Sequence, residues 1–207
     1  MIKQAFWFLL GVGFFSATAA AERTWVVNAD GLFLQQAGKP RLSIKLPEWV
    51  WAHEPYACPP DVAIGPRGEA VVTSNVVPVL WKIDPQTLAV TRHRLQLDAD
   101  ADKDVGFSGL VYSERNGAWF AVSELHGTLW RIDPLLRRAQ KVSVTGAIRG
   151  ACAVSIQRQE RASVLSRLCL RSRDESRLLH IAADQRSAYV QAASCAADAF
   201  ALKGGAR

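Results

Sequence analysis

The chain has 207 residues, and its 25 Lys and Arg residues against 19 Asp and Glu residues give a formal net charge of +6. This length fits a single domain. Beyond the first 21 residues, no apolar run reaches the roughly 20 residues needed to cross a bilayer. We therefore expect no stable membrane span in the mature protein.

The first 21 residues have the pattern of a cleavable secretory signal peptide. Lys3 supplies the positive start, an apolar stretch of 11 residues covers 5–15, and small residues follow at 16–21. Cleavage after Ala19 or Ala21 fits this pattern. We take 1–21 as the signal peptide and 22–207 as a single mature domain, and we expect a periplasmic or secreted protein.

The mature sequence contains a repeat with a step of about 49 residues. The motif WKIDP at 81–85 matches WRIDP at 130–134. At the same step, apolar residues recur at 32, 81, 130 and 179, and again at 34, 83, 132 and 181. A spacing of two within each unit places both residues on one face of a β-strand.

Each unit contains strand-like runs separated by turn signals, and no helical period of useful length is present. Such units must stack to bury their apolar faces. We predict an all-β fold, a small β-propeller of about four four-stranded blades that is closed by pairing of the N- and C-terminal segments. The predicted blades cover 24–47 together with 198–203, then 61–97, 106–145 and 150–193. The alternative is an open or β-sandwich arrangement.

Four cysteines allow three pairings. Cys152 and Cys169 are symmetric about the midpoint of 160 and 161, so a hairpin turning there would place them opposite each other. Cys58 and Cys195 lie in loops that enter neighbouring blades. We predict disulfides Cys152–Cys169 and Cys58–Cys195, and on this blade assignment a Cys58–Cys152 bond is not expected.

Alternating strand directions place the loop that enters each blade and the loop between its second and third strands on one face. Propellers commonly bind ligands at such a face. The candidates for ligand binding on this face are His53, Glu54, Asp61, Asn75, Asp104, Glu124 and His126. The alternative is that these residues are polar only because they lie in loops.

Alternating aspartates precede the third blade, at Asp98, Asp100, Asp102 and Asp104. Closely spaced carboxylates are ligands that Ca²⁺ prefers, so we consider a calcium site here. The segment is not an EF-hand, because Lys103 occupies the position of the turn glycine and Gly109 the position of the twelfth-residue glutamate. A solvated acidic loop is the alternative.

Two further features bear on partners. Trp49, Trp51, His53 and Tyr56 form an aromatic group that either stacks on a sugar or a partner or packs as core. Between 131 and 177, eleven Lys or Arg residues stand against four Asp or Glu residues. In an exported protein this favours an anionic envelope polymer or an acidic partner over nucleic acid, and a solvated basic face is the alternative.

The units 61–84 and 109–133 resemble the blades of gluconolactonase-like and NHL-type propellers. They share an inner strand, a glycine-containing turn, an apolar strand and the closing motif L-W-K/R-I-D-P. Gluconolactonase-like enzymes hold a divalent metal with Glu, Asn and Asp. Asn75 and Asp104 are the residues that the resemblance offers for this role, while the chain is too short for the six blades of that family.

The sequence contains no complete catalytic motif. The segment 106–109 lacks the spacing of G-x-S-x-G, and neither C-x-x-C nor H-E-x-x-H occurs. The sequence therefore favours an exported, non-catalytic binding module for a protein or glycan of the cell envelope. A metal-dependent hydrolase of gluconolactonase-like type and an accessory subunit of an envelope assembly are the alternatives.

Overall fold

The computed structural model describes residues 23–157, 166–173, 175–191 and 195. The predicted signal peptide and the predicted inner strand at 198–203 lie outside these residues. Within them the chain forms sixteen β-strands and no helix. No helix long and apolar enough to cross a membrane occurs in this part of the chain.

The strands fall into four antiparallel units along the chain. Unit 1 contains β1 (Arg23–Asn28), β2 (Gly31–Gln36) and β3 (Leu42–Ile44). Unit 2 contains β4 (Val62–Ile64), β5 (Ala70–Thr73), β6 (Val79–Ile83) and β7 (Val90–Arg94), followed by the short β8 (Gln96–Leu97). Unit 3 contains β9 (Gly109–Ser113), β10 (Ala118–Ser123), β11 (Thr128–Ile132) and β12 (Arg138–Thr145). Unit 4 contains β13 (Ala153–Ile156), β14 (Ser166–Arg171), β15 (Ser176–Ile181) and β16 (Ser187–Gln191).

The outermost strands link neighbouring units by parallel pairing. β8 pairs with the start of β12, where Gln96 lies opposite Arg138. The end of β12 pairs with the start of β16, where Ser143 lies opposite Ser187. Units 3 and 4 therefore share one sheet, and the segment that follows β7 is bound to the rim of unit 3.

The repeat positions found in the sequence are the core positions of the structure. Leu32, Trp81, Trp130 and Leu179 are each 0% exposed, and the residues two positions later are at most 4% exposed. Burial of a large apolar side chain stabilises the fold by about 1.5–3 kcal/mol relative to exposure. Trp81 and Trp130, which begin the repeated W-K/R-I-D-P motif, are therefore packing residues of the fold.

The second strand of a unit packs on both of its faces. All four residues of β5 and all six of β10 are buried. Val72 packs against unit 1 and Val71 against unit 3, while Phe120 packs against unit 4 and Trp119 against unit 2. A strand that is buried on both faces has a continuous apolar run instead of an alternating one. The sequences of β5 and β10 both contain such a run.

The disulfides are Cys58–Cys152, with the Cα atoms 5.1 Å apart, and Cys169–Cys195, with the Cα atoms 5.7 Å apart. The predicted pairs Cys152–Cys169 and Cys58–Cys195 are wrong. In the hairpin of β13 and β14, Ser155 lies opposite Cys169, so Cys152 is three residues from the facing position.

The Cys58–Cys152 bond leaves the unit boundaries unchanged. The inner strand β9 packs against β4 on one side and β13 on the other, so the segments that enter units 2 and 4 meet above the start of β9. Ser108 marks this place, since its hydroxyl donates to the carbonyl of Ala151 at 2.9 Å. The expectation that such a bond conflicts with the blade assignment is therefore also wrong.

Candidate binding site on the loop face

Antiparallel pairing brings the loops 45–61, 74–78, 98–108, 124–127 and 146–152, and residues 172, 173 and 175, towards one end of the units. We call this end the loop face. The opposite end carries the turns 37–41, 65–69, 84–89, 114–117, 133–137 and 182–186, and we call it the turn face. The predicted binding residues lie in loop-face segments, and the structure separates those that hold the loops from those that remain available.

Asn75 holds the loop that enters unit 2. Its side-chain Oδ1 accepts from the Ala52 N–H at 3.1 Å, and its Nδ2 donates to the carbonyls of Ala52 and Cys58 at 2.6 and 3.1 Å. The residue is only 3% exposed. Because both ends of the amide are used, Asn75 positions this loop and offers little to a ligand.

Gly106 allows the next loop to pass directly over Asn75. A Cβ atom at position 106 would lie 2.0 Å from the Asn75 carbonyl carbon. The following residue, Phe107, donates its N–H to the Ser74 carbonyl at 2.6 Å. The close approach of two backbones therefore requires glycine here.

Asp61 is also a structural residue. Its carboxylate accepts from the Val62 N–H at 2.8 Å and from the Leu110 N–H at 2.9 Å. Leu110 lies 49 residues after Asp61, so this bond joins equivalent positions of units 2 and 3. The aromatic residue Trp49 is structural too, since its indole packs edge-on against Trp81 at 5.0 Å and donates to the Ala29 carbonyl.

The peptide groups around Ala57 lie between a carboxylate and a guanidinium group. The Ala57 N–H donates to Glu124 Oε2 at 3.3 Å, and the Ala57 carbonyl accepts from Arg173 Nη2 at 3.4 Å. The neighbouring Cys58 is 2% exposed and is bonded to Cys152. Loops from units 2, 3 and 4 therefore converge at this point.

His126 contacts the backbone of Asp104, and the charge of Asp104 also acts on Tyr56. The His126 ring Nε2 is 3.0 Å from the Asp104 carbonyl oxygen. A carbonyl only accepts, so Nε2 carries the proton, and Nδ1 of the neutral ring is left with its lone pair. Burial, with a smaller effect of the Asp104 charge, raises the pKa of Tyr56 above its usual value, so the phenol stays a donor at neutral pH.

We define the loop-face cluster as Tyr56, Asp104, Glu124, His126 and Arg173. Sequence reasoning named the first four as an aromatic or polar candidate and missed Arg173. The signal was available, because Arg173 lies between the second and third strands of unit 4, where the rule used for Glu124 and His126 also applies.

His53 and Glu54 are exposed on the loop that carries Tyr56. The ring of His53 packs edge-on against Trp51 with 4.2 Å between centroids. Neither residue has a described hydrogen bond to the loop-face cluster. They remain candidates for contact with a large partner.

The structure divides the aspartate run. Asp98 accepts from the Lys141 N–H at 2.8 Å on the rim strand β12. Asp100 accepts from the ammonium groups of Lys141 and Lys103, which hold its pKa at about 2. Asp102 is exposed, and Asp104 contacts His126 of the loop-face cluster through its backbone carbonyl.

These contacts bear on the calcium prediction without testing it. Across the described residues, no group of three or more His, Cys, Asp or Glu side chains is arranged to hold a metal ion. The carboxylate of Asp100 already has two cationic partners. A Ca²⁺ site at Asp98, Asp100, Asp102 and Asp104 therefore stays a prediction.

The fold is similar to that of known β-propellers. A streptogramin B lyase structure matches with a TM-score of 0.56 and 14% identity, covering 82% of this chain and 50% of the lyase chain. Virginiamycin B lyase from Staphylococcus aureus matches with a TM-score of 0.53 and 10% identity, covering 81% of this chain and 54% of the lyase. The allergen Mala s 1 from Malassezia sympodialis gives a TM-score of 0.48 and 13% identity, covering 64% of this chain and 40% of the allergen.

The chain spans about half the length of these two lyases. No protein-family model and no curated protein matches the sequence. The fold is propeller-like. At this level of identity the likeness concerns the fold alone, and no specific family is shown.

Proposed function

We propose that the protein is an exported, non-catalytic propeller module that binds a protein or glycan of the cell envelope through the loop-face cluster. The convergence of Glu124 and Arg173 on the Ala57 peptide groups carries this proposal. Binding residues are often presented by loops on a rigid scaffold. Here the scaffold is the set of packed units, and the Cys58–Cys152 bond holds the loop 45–61, which carries Tyr56 and Ala57.

The cluster offers both hydrogen-bond donors and acceptors to a ligand. Tyr56 and Arg173 are donors, while Glu124 and the free Nδ1 of His126 are acceptors. Trp51 and His53 lie on the same loop as Tyr56 and provide aromatic surface next to these polar groups. This mixture suits a polar, partly apolar partner surface or a sugar.

We also infer that the units form a ring of four blades closed by 198–203. The support is the constant step of 49 residues and the serial packing of β1 on β4, β4 on β9 and β9 on β13. Stepping on from the start of unit 4 leads to the apolar residues at 200–202. A further inner strand at this place would cover an edge of unit 1.

Photo-cross-linking tests the binding proposal even while the partner is unidentified. A benzophenone amino acid is placed at Tyr56 on the loop face, and a matched variant carries it at Thr91, which is exposed on β7. We expect adducts with an envelope protein or glycan from position 56 only. Equal labelling from both positions, or none from position 56, would contradict the proposal.

A second candidate is a metal-dependent hydrolase or a lyase, and the orientation of His126 favours it. The free Nδ1 is suited to accept a proton, and Glu124 lies in the same turn. A histidine-to-alanine variant of the Staphylococcus aureus lyase is catalytically inactive. A third candidate function is an accessory subunit of an envelope assembly. Purification of the protein in a stable complex with other envelope proteins would support it.

Turnover separates the enzyme from the binding module. The purified protein is assayed with lactones and with virginiamycin B, before and after chelation of divalent metals. The binding proposal predicts no turnover in either state. Turnover that is lost on chelation and in His126→Ala would establish an enzyme instead.

A further inference from the structure

An open cleft of about 340 Å³ lies on the turn face, between units 1 and 2. Its walls are the turn that follows β2, with Lys39 and Pro40, and the turn between β6 and β7, with Gln86 and Leu88. Small-molecule sites have volumes of roughly 300–1,000 Å³. The cleft is on the opposite end of the units from the loop-face cluster, so it is independent of the function proposed above.

The lining of the cleft is cationic. Arg23, Lys39 and Arg41 contribute three positive charges, and no Asp or Glu lines it. Among the described residues, none of the three cations forms an ion pair with a carboxylate. This differs from Lys141 on the rim strand β12 and from Arg177 on β15, each of which has a carboxylate partner.

Two of these cations are held in position by neutral partners. Arg23 donates from Nη1 to the Pro85 carbonyl across the boundary between the units. Arg41 stacks on the ring of Phe33, with 3.8 Å from its guanidinium carbon to the ring centroid. A guanidinium group has five N–H donors, so donors of Arg23 remain for an anion. The Arg41 group lies over Phe33, which faces away from the cleft residues Leu34 and Leu42.

The cleft also has an apolar side. Leu34 forms part of its floor and is 4% exposed, while Leu42 is 46% exposed, which is unusual for a leucine of a β-strand in this fold. Leu88 lies beside them on the turn of unit 2 and is half-buried. A ligand that fits this surface has an anionic group joined to an apolar part.

We propose that this cleft binds an organic phosphate ester. The phosphate, with up to two negative charges and several acceptor oxygens, contacts Arg23 and Lys39. The ester group contacts Leu42 and Leu88. A phosphate complements several unpaired cations better than a single carboxylate does, because it carries more charge and more acceptors.

Calorimetric titration of the mature protein tests this site. The soluble probes are inorganic phosphate, phenyl phosphate and benzoate, and the membrane probes are vesicles of phosphatidylglycerol and of phosphatidylcholine. We expect phenyl phosphate to bind more tightly than inorganic phosphate or benzoate, since only phenyl phosphate has both parts. Binding of phosphatidylglycerol vesicles alone would identify a lipid headgroup as the source of the phosphate.

Charge variants locate the binding. Arg23→Gln with Lys39→Gln should weaken phenyl phosphate, or the vesicles, at least tenfold, and the exposed Lys39→Gln alone should weaken it severalfold without a change in fold. Arg94→Gln is the matched control, because Arg94 is exposed at the far end of β7. Equal losses in the control, or no binding of any phosphate probe by the unaltered protein at millimolar concentration, would overturn the proposal.

Discussion

The two ends of the units are built differently. On the turn face, Asp84 and Asp133 lie 49 residues apart and each accepts N–H bonds from its own turn. On the loop face, the equivalent loops share no such pattern, and their contacts reach distant segments, as Asn75 does to Ala52. The repeated turns join the strands in the same way in units 2 and 3, whereas the varied loops carry the side chains that we propose to bind a partner.

Among the contacts that distinguish the loop face from the turn face, the Cys58–Cys152 bond should contribute most to the free energy of unfolding, because it anchors the loops of the loop face. It spans 94 residues, against 26 for Cys169–Cys195. In the chain-entropy model these loops correspond to about 4.7 and about 3.5 kcal/mol of stability. Urea unfolding of the two double-serine variants should therefore show the larger loss for the first pair. The reverse order would mean that the loop face does not depend on this bond.

Much of the fold follows from the sequence because its signal is local and repeated. The step of 49 and the alternation of buried residues are enough to find the core positions Trp81 and Trp130. Even unit 4, with its less typical residues, has strands at 153–156 and 176–181 within the predicted range.

The disulfide pairing could not be predicted, because it depends on the register of one hairpin. Burial of Leu168 and Leu170 against unit 3 sets that register and places Ser155 opposite Cys169. Symmetry of the cysteines about a point in the sequence says nothing about this packing.

The division of the candidate site could not be predicted either. Whether Asn75 or Asp100 is free depends on partners 23 and 41 residues away. Side-chain identity alone does not distinguish a saturated amide from an available one. Placement on the loop face was predictable, whereas availability required the structure.

Gly106 provides the next test of the loop face. Gly106→Ala should destabilise the protein by about 3 kcal/mol, because the new Cβ would meet the backbone of Asn75. Gly117→Ala, in an open turn with φ of 57°, should cost only about 1 kcal/mol. Thermal unfolding of both variants measures the two effects. Equal losses of stability in the two variants would show that the loops carrying Gly106 and Asn75 do not pack as closely as described.

Acid should weaken the ion pairs of Asp100 with Lys103 and Lys141. The pair with Lys141 holds Asp100 at the rim of unit 3 and not in the loop-face cluster. The folded pKa of Asp100, about 2, lies below its usual value, so the carboxylate stabilises the fold above pH 4, and this stability is lost as the pH falls towards 2. Asp100→Asn should therefore flatten the fall in stability between pH 4 and pH 2, while Asp102→Asn should not. Unfolding curves across this pH range compare the two variants. An unchanged slope in Asp100→Asn would contradict the assigned contacts with Lys141 and Lys103.

The smallest expected effect on stability belongs to the residues that remain available. Glu124→Gln and Glu114→Gln make the same chemical change on the loop face and on the turn face of unit 3. Glu114 is exposed, and Glu124 makes one long hydrogen bond to Ala57. Both variants should keep the free energy of unfolding within about 0.5 kcal/mol of the original protein. A larger loss in Glu124→Gln would make Glu124 a structural residue like Asn75.

The same pair of variants tests the central claim, that the loop-face cluster binds the partner. The measurement is the dissociation constant for the partner captured by cross-linking from position 56. We predict that Glu124→Gln weakens binding about tenfold, which corresponds to about 1.4 kcal/mol, while Glu114→Gln leaves it unchanged. Unaltered binding by Glu124→Gln, or an equal loss in Glu114→Gln, would contradict the account.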